Sequence, residues 1–311
     1  MVRRIGIALG AAAFLALACY EPPPPEETEP AWYWHDGPTV SDFYDLASTA
    51  RTDVWAAAVN DAGAGEIFHF ARFRWAAADL PRVEVGPLYA VATEPGGEAW
   101  AAGGGDYFLH WDGSGWRQWP HPAPGKNVYG LALVDELNGW AVGEGGMIFK
   151  FAGGEWKAET SPTATTLRRV RALSATSAWA VGDEGTVLRY DGSSWEKVGF
   201  PPTIDLYDAH FVAEDDGWVV GAVASLYHWN GSSFERYQSP DPDITYGCCG
   251  FAGSDLGFAG GSEMHLARYQ DDVWKLEDNM PSGSWQLTAI HMVSPTEGWA
   301  VGPHGAMMHY Y

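Results

Sequence analysis

The chain has 311 residues, with 18 Lys and Arg against 40 Asp and Glu, a formal charge of −22. Without a basic run, that imbalance repels phosphate backbones and excludes nucleic acid as a partner; the 46% hydrophobic fraction excludes an acidic disordered chain, and 3 Cys cannot staple a small disulfide scaffold. Rich Trp and Gly (17 and 38) with only 19% charged residues favour one large all-β domain over two ordinary ones.

Arg3 and Arg4 precede Ile5 to Ala18, an uncharged apolar run. It is shorter than the ~20 residues that span a bilayer and fits the core of a secretory signal, so residues 1–18 read as a signal peptide. The run ends Leu15-Ala16-Leu17-Ala18-Cys19, which resembles a bacterial lipoprotein lipobox: small Ala18 admits the peptidase, and the Cys19 thiol would carry the lipid. Ordinary cleavage after Ala18, leaving a free Cys19, is the other reading. Residues 19–30 are rich in Pro and Glu. Proline keeps them extended and like charges keep them apart, so they form a stiff tether between an anchor and a globular body. No later segment is long and apolar enough to cross a membrane as a helix.

The remainder, residues 31–311, is one repeat taken seven times. Its anchors are Trp55, Trp100, Trp140, Trp179, Trp218, Phe258 and Trp299, each in a run of small apolar residues such as GWAVG. A second aromatic follows each of the first six: Trp75, Trp116, Trp156, Trp195, Phe234 and Trp274. Each unit reads as four short strands, here a to d. Strand a is apolar, b carries the anchor, a tight Gly-flanked turn leads to c, and an Asp-Gly or Asn-Gly turn leads to d with the second aromatic. Four strands per ~40 residues, repeated radially, predict an all-β, seven-bladed β-propeller of four-stranded blades. The seventh repeat stops at Tyr311, after its strand c. Trp32 precedes Phe43 by the interval at which Trp156 precedes Leu167 and Trp195 precedes Leu206. An N-terminal strand around Trp32 is therefore expected to close the last blade, covering an edge that would otherwise invite aggregation.

The repeat, clearest in WAVGDEGTVLRYDGSSW from Trp179 to Trp195, resembles the photosystem II assembly-factor-type repeat of bacterial exported propellers and, more loosely, the Asp-box of neuraminidases. Asp112 and Asp191 sit four residues before Trp116 and Trp195, where the Asp-box has five. The resemblance covers nearly all of the chain after the tether. It implies a propeller and little about activity, because such repeats serve assembly factors and glycosidases alike.

If strand a lies nearest the axis, its second position reads Tyr44, Tyr89, Tyr129, Arg168, Tyr207, Gly247 and Thr288, ringing one mouth. Tyrosine offers an apolar face and a hydroxyl, so these residues form either a socket for a peptide or sugar, or strand formers filling the seams between blades. The third position adds Asp45, Arg169 and Asp208. Arg168, Arg169 and Arg171 either bind a carboxylate or pair with neighbouring acids. The last-but-one position of strand c is His69, His110, Lys150, Arg189, His228, Arg268 and His309. Strand c lies two strands out at ~4.8 Å each, too far for equivalent groups of different blades to share a metal; pairing with acids or turn carbonyls is expected. Adjacent Cys248 and Cys249 are either two buried thiols or a strained vicinal redox pair. Asn60 to Gly65 is an insertion that either grips a ligand or cation or is simply a tolerated loop.

These readings converge on a non-catalytic, lipid-anchored propeller serving as a protein-binding or assembly scaffold in the bacterial envelope. The partner would be an envelope protein or peptide, with no cofactor or metal, and the propeller would be a monomer. By analogy with lipoprotein sorting, Tyr20 after Cys19 points to the outer membrane, facing the periplasm or the surface. The alternative is a carbohydrate-binding or sialidase-like glycoside-hydrolase propeller. The sequence has no nucleophile elbow, and its arginines cluster on one blade, which argues against catalysis.

Overall fold

The structure, a computed structural model, describes residues 30–81, 85–278, 280 and 286–311. The expected signal peptide, Cys19 and most of the expected tether lie outside the described residues. Seven sheets, each of four antiparallel strands, form the chain. The propeller expected from the repeat is the fold. Strands a are Asp42–Ala50, Leu88–Thr93, Val128–Asp135, Leu167–Ser174, Leu206–Ala213, Tyr246–Phe251 and Ala289–Ser294. Each touches the strands a of its two neighbours, and the last touches the first, so they form the inner wall of a closed ring.

Closure follows the expected route. Trp32–Trp34 pairs with Met307–Tyr310, with Trp32 opposite Tyr310, and supplies strand d of blade seven. The closing strand is also held by reciprocal backbone hydrogen bonds between Ala31 and Tyr311.

The two aromatic columns build the seams. Trp140, Trp179, Trp218 and Trp299 are fully buried. The strand-d aromatic of each blade meets the anchor of the preceding blade edge to face. Trp116 meets Trp55 at 5.3 Å, Trp195 meets Trp140 at 5.1 Å, and Trp75 meets Trp299 at 5.4 Å. Trp32 of the closing strand meets Phe258 at 5.3 Å and 89°, so the clasp repeats the seam geometry of the other blades. This arrangement sets the positive ring edge on the negative ring face, and truncating such a buried ring costs about 3–5 kcal/mol.

The basic column of strand c covers the anchors' other surface. Each member is the cross-strand partner of its own blade's anchor, as His69 is of Trp55 and Arg189 of Trp179. His69 stacks on Trp55 at 3.7 Å, His110 on Trp100 at 4.3 Å and His309 on Trp299 at 4.1 Å, while Lys150 and Arg189 lie over their Trp rings. Their outer ends pair with acids as expected. His69 meets Asp53 at 2.6 Å, His110 meets Glu98 at 2.9 Å, His228 meets Asp216 at 2.7 Å and His309 meets Glu297. Every histidine of this column answers an Asp or Glu two residues before its anchor. Where that position is Asn138, Ser177 or Leu256, strand c carries Lys150, Arg189 or Arg268. These longer cations reach other partners: the Tyr190 hydroxyl for Lys150, Glu214 for Arg189 and Glu277 for Arg268.

Candidate functional site: the tyrosine mouth and the belt beneath it

Strand a enters its blade through a bulge. In blades one to six the pairing of strands a and b slips between the first and third positions, as between Phe43 and Asp45, Leu167 and Arg169, and Leu206 and Asp208. The skipped residues are Tyr44, Tyr89, Tyr129, Arg168, Tyr207 and Gly247. A bulge leaves its extra residue out of the ladder and re-aims its side chain. The first position is buried and so is the third, while the four tyrosines and Arg168 between them stay partly exposed.

The bulged side chains touch one another around the axis. Tyr44 and Tyr89 meet at 5.1 Å, Tyr89 and Tyr129 at 5.6 Å, and the Arg168 guanidinium lies 5.6 Å from the Tyr129 ring centre. Arg168 is fixed by Asp183 in the adjoining b–c turn, through Nε at 2.7 Å and Nη2 at 3.1 Å. Asn127 donates to the Tyr129 hydroxyl at 3.2 Å. Burial, reinforced by Asp42, raises the Tyr44 phenol pKa; burial, reinforced by Asp205, does the same for Tyr207. Tyr44, Tyr89 and Tyr207, all raised by burial, thus present neutral phenols at neutral pH. The arc is interrupted at blades six and seven. A Cβ on Gly247 would lie 2.8 Å from the Gln286 amide, so that amide occupies the space a side chain would fill. Thr288 lies just before the paired part of its strand, donating its N–H to Val301 O and its hydroxyl to Phe43 O at 2.8 Å.

One residue further along the strands the chemistry changes. Asp45, Arg169 and Asp208, read from sequence with the mouth, lie beneath it at 4%, 6% and 1% exposure. Arg169 on blade four crosses the axis to Asp45 on blade one at 2.8 Å and reaches Asp208 on blade five at 3.0 Å. Val91 N of blade two donates to Asp45 and Cys249 N of blade six donates to Asp208. Arg171 adds bonds to Asp208 and to Ala209 O. This belt joins blades one, two, four, five and six through the channel. Burial opposes ionisation of Asp208, but Arg169, Arg171 and two backbone N–H groups outweigh it and hold the carboxyl below its usual range. Burial wins at Asp45, whose main guanidinium partner is shared, and pushes it up. All three arginines of strand a in blade four are therefore ion-paired within the protein. The physical reason Arg169 and Asp208 do not face solvent is the bulge, which turns their immediate predecessors outward and them into the channel.

Below the belt, burial and the Arg171 charge push His210 down to about 3 and His291 down to about 4. Cys248 and Cys249 are free and buried. Successive strand residues point to opposite faces, and the two thiols enter different cores, Cys248 beside Phe258 and Cys249 beside Trp218. The vicinal pair is not formed, and burial raises both thiol pKa values. In the blade-one insertion, Asn60 Oδ1 accepts from Ala62 N and Ala64 N while its amide donates to Glu66, which gives the loop its own internal scaffold.

The sequence matches no protein-family model and no curated protein. Its fold is shared widely among solved structures. A structure titled YCF48 bound to D1 peptide aligns with a TM-score of 0.76 at 17% identity, over 91% of this chain and 97% of that one. YCF48 from Cyanidioschyzon merolae gives 0.74 at 17% identity, over 90% and 99%. A streptogramin B lyase gives 0.75 at 13% identity, over 91% and 97%. At these identities the likeness is one of fold.

Proposed function

We propose that this protein is a non-catalytic propeller that docks another envelope protein or peptide at its tyrosine mouth, as an assembly or scaffold factor. One observation carries the reading: a contiguous, part-exposed arc from Tyr44 to Arg168, with Tyr207 at the equivalent position of the next blade, lies on bulged positions above a channel bridged by Arg169. Such an arc offers apolar surface and hydroxyls to a partner, whereas the belt beneath it leaves its two opposed carboxylates, Asp45 and Asp208, neutralised and out of solvent. Most glycoside hydrolases need two accessible carboxyl groups flanking the bond they cleave, and a sialidase-like enzyme with a tyrosine nucleophile would need arginines free to hold a substrate carboxylate; Arg168, Arg169 and Arg171 are all paired within the protein, which disfavours that alternative. A neighbour in fold carries a bound peptide, which is consistent with a peptide-binding mouth; another is a lyase, so the fold alone does not decide. In the same reading the signal is removed, Cys19 is lipidated, and the tether holds the propeller at the outer membrane.

The test is co-purification from crosslinked native envelopes, comparing wild type with Tyr89→Ala/Tyr129→Ala/Arg168→Ala. A specific protein lost in the variant supports the reading, and equal recovery from both contradicts it. A Cys19→Ala chain tests the anchor, since it should move from the membrane to the soluble fraction.

A further inference from the structure

Resting on the mouth reading, we infer that the partner segment is cationic: an extended, lysine- or arginine-bearing peptide laid across the tyrosine arc. Charge decides the sign. Carboxylates edge the mouth from blade to blade: Asp42, Asp106, Glu144, Glu184, Asp205 and Glu263, in the loops leading into strands a and in the b–c turns. Three of these stand against the arc. Asp42 raises the Tyr44 pKa and Asp205 that of Tyr207, and Asp205 also accepts from Glu184 N at 3.0 Å. The Asp42 side chain is 45% exposed; its Oδ1 accepts from His304 N at 2.8 Å and lies 3.6 Å from the His304 ring, and Glu184 is exposed.

The cations available there are few. Among the described residues of these loops and of the arc the Lys and Arg side chains are Arg168 and Lys126, with His304 and His265 in the b–c turns of blades seven and six. Arg168 is already held by both oxygens of Asp183. Lys126 lies against the Glu144–Gly145 turn, where its Nζ would be 3.5 Å from a Cβ on Gly145. A carboxylate-bearing partner would find no unengaged guanidinium in the arc and would face Asp42, Glu184 and Asp205. An ammonium or guanidinium group gains twice. Its stem and charge lie over the tyrosine faces, which attract cations, and its head reaches the rim carboxylates as a charge-assisted hydrogen bond. The Gln286 amide, on the side where the arc is interrupted, supplies a donor and an acceptor suited to the backbone of an extended segment.

The experiment measures binding of a short alternating Lys-Gly peptide and its Glu-Gly counterpart to the purified mature protein by fluorescence anisotropy. Two charge-neutralised variants are compared. Asp42→Asn/Glu184→Gln/Asp205→Asn alters the mouth, and Glu136→Gln/Asp215→Asn/Asp255→Asn removes equal charge from the a–b turns on the opposite face. Thermal unfolding confirms that both fold as wild type does. The Lys-Gly peptide should bind, weaken about tenfold or more in the mouth variant alone, and the Glu-Gly peptide should not bind. Equal weakening in both variants would reduce the effect to general attraction by an acidic protein and overturn the inference, as would equal binding of the Glu-Gly peptide. In either case, continued loss of the envelope partner from Tyr89→Ala/Tyr129→Ala/Arg168→Ala would leave the mouth standing with a different ligand charge. No such loss would remove both readings.

Discussion

Arg168 and Arg169 are neighbours in sequence with opposite environments. Arg168 lies in the mouth, 37% exposed and paired with Asp183 on its own blade. Arg169 lies in the channel, 6% exposed and paired across the axis. Tyr44 and Asp45, and Tyr207 and Asp208, divide in the same way. A bulge at the entry of each of these strands separates a position open to a partner from one that locks the ring. The contrast shows how a repeat can change its surface without disturbing its core. The bulged position is excluded from the ladder and tolerates Tyr, Arg or Gly, whereas the next position faces every other blade at once.

Removing Arg169 should give the largest effect. Arg169→Met leaves buried Asp45 without its guanidinium partner and Asp208 with Arg171 alone, and should cost about 3–5 kcal/mol in denaturant unfolding. Arg168→Met removes a partly exposed pair and should cost within about 1 kcal/mol. Equal losses would erase the distinction between belt and mouth. Replacing the whole cluster as Asp45→Leu/Arg169→Met/Arg171→Met/Asp208→Leu should recover much of the loss, because no unpaired charge remains.

Acid should act on the channel next. His210 and His291 have folded-state pKa values of about 3 and about 4, below the ordinary histidine value. The unfolded chain takes up protons first as pH falls. Their contribution is therefore complete above about pH 6.5 and falls steadily below it, by on the order of 3 kcal/mol for each histidine at pH 4. Unfolding midpoints measured from pH 7 to 4.5 should fall accordingly, and His210→Asn/His291→Asn should flatten that slope. An unchanged slope in the variant would remove the histidines from the account.

Smaller effects concern the mouth. Tyr89→Ala/Tyr129→Ala should shift the unfolding free energy by no more than about 1 kcal/mol per site, as expected of part-exposed side chains outside the ladder, while partner capture is lost. A large stability loss would make the tyrosines seam fillers. The smallest effect is on the thiols: Cys248 and Cys249 should resist an aqueous thiol reagent until the ring unfolds. Rapid labelling of the native protein would contradict their placement.

Much of this was legible from spacing alone. The anchor interval counts the blades, and the position of Trp32 before Phe43 identifies the strand that closes the ring, because seam contacts repeat with the same period as the sequence. The pairing of strand-c histidines with acids was expected in kind, although the rule that places each acid two residues before its anchor emerges only when the stacked rings are seen. The bulge was not legible. It is a slip of pairing between strands a and b, and nothing in the residue types Tyr, Arg and Gly announces it. Without it the second and third positions of strand a looked equally exposed, so Arg169 and Asp208 were read with the mouth. The reach of Arg169 to Asp45 was hidden for a different reason. It joins blades one and four through space, and no local period encodes a contact across the axis.

The most direct test of the mouth as a working surface is photo-crosslinking in native envelopes. A benzoyl-phenylalanine would be placed at Tyr89 or, as a control, at Phe73, which is 62% exposed in a c–d turn on the opposite face. The account expects a discrete protein adduct from position 89 and none from position 73. An adduct from 73 alone would contradict it and move the docking surface to the other side of the ring.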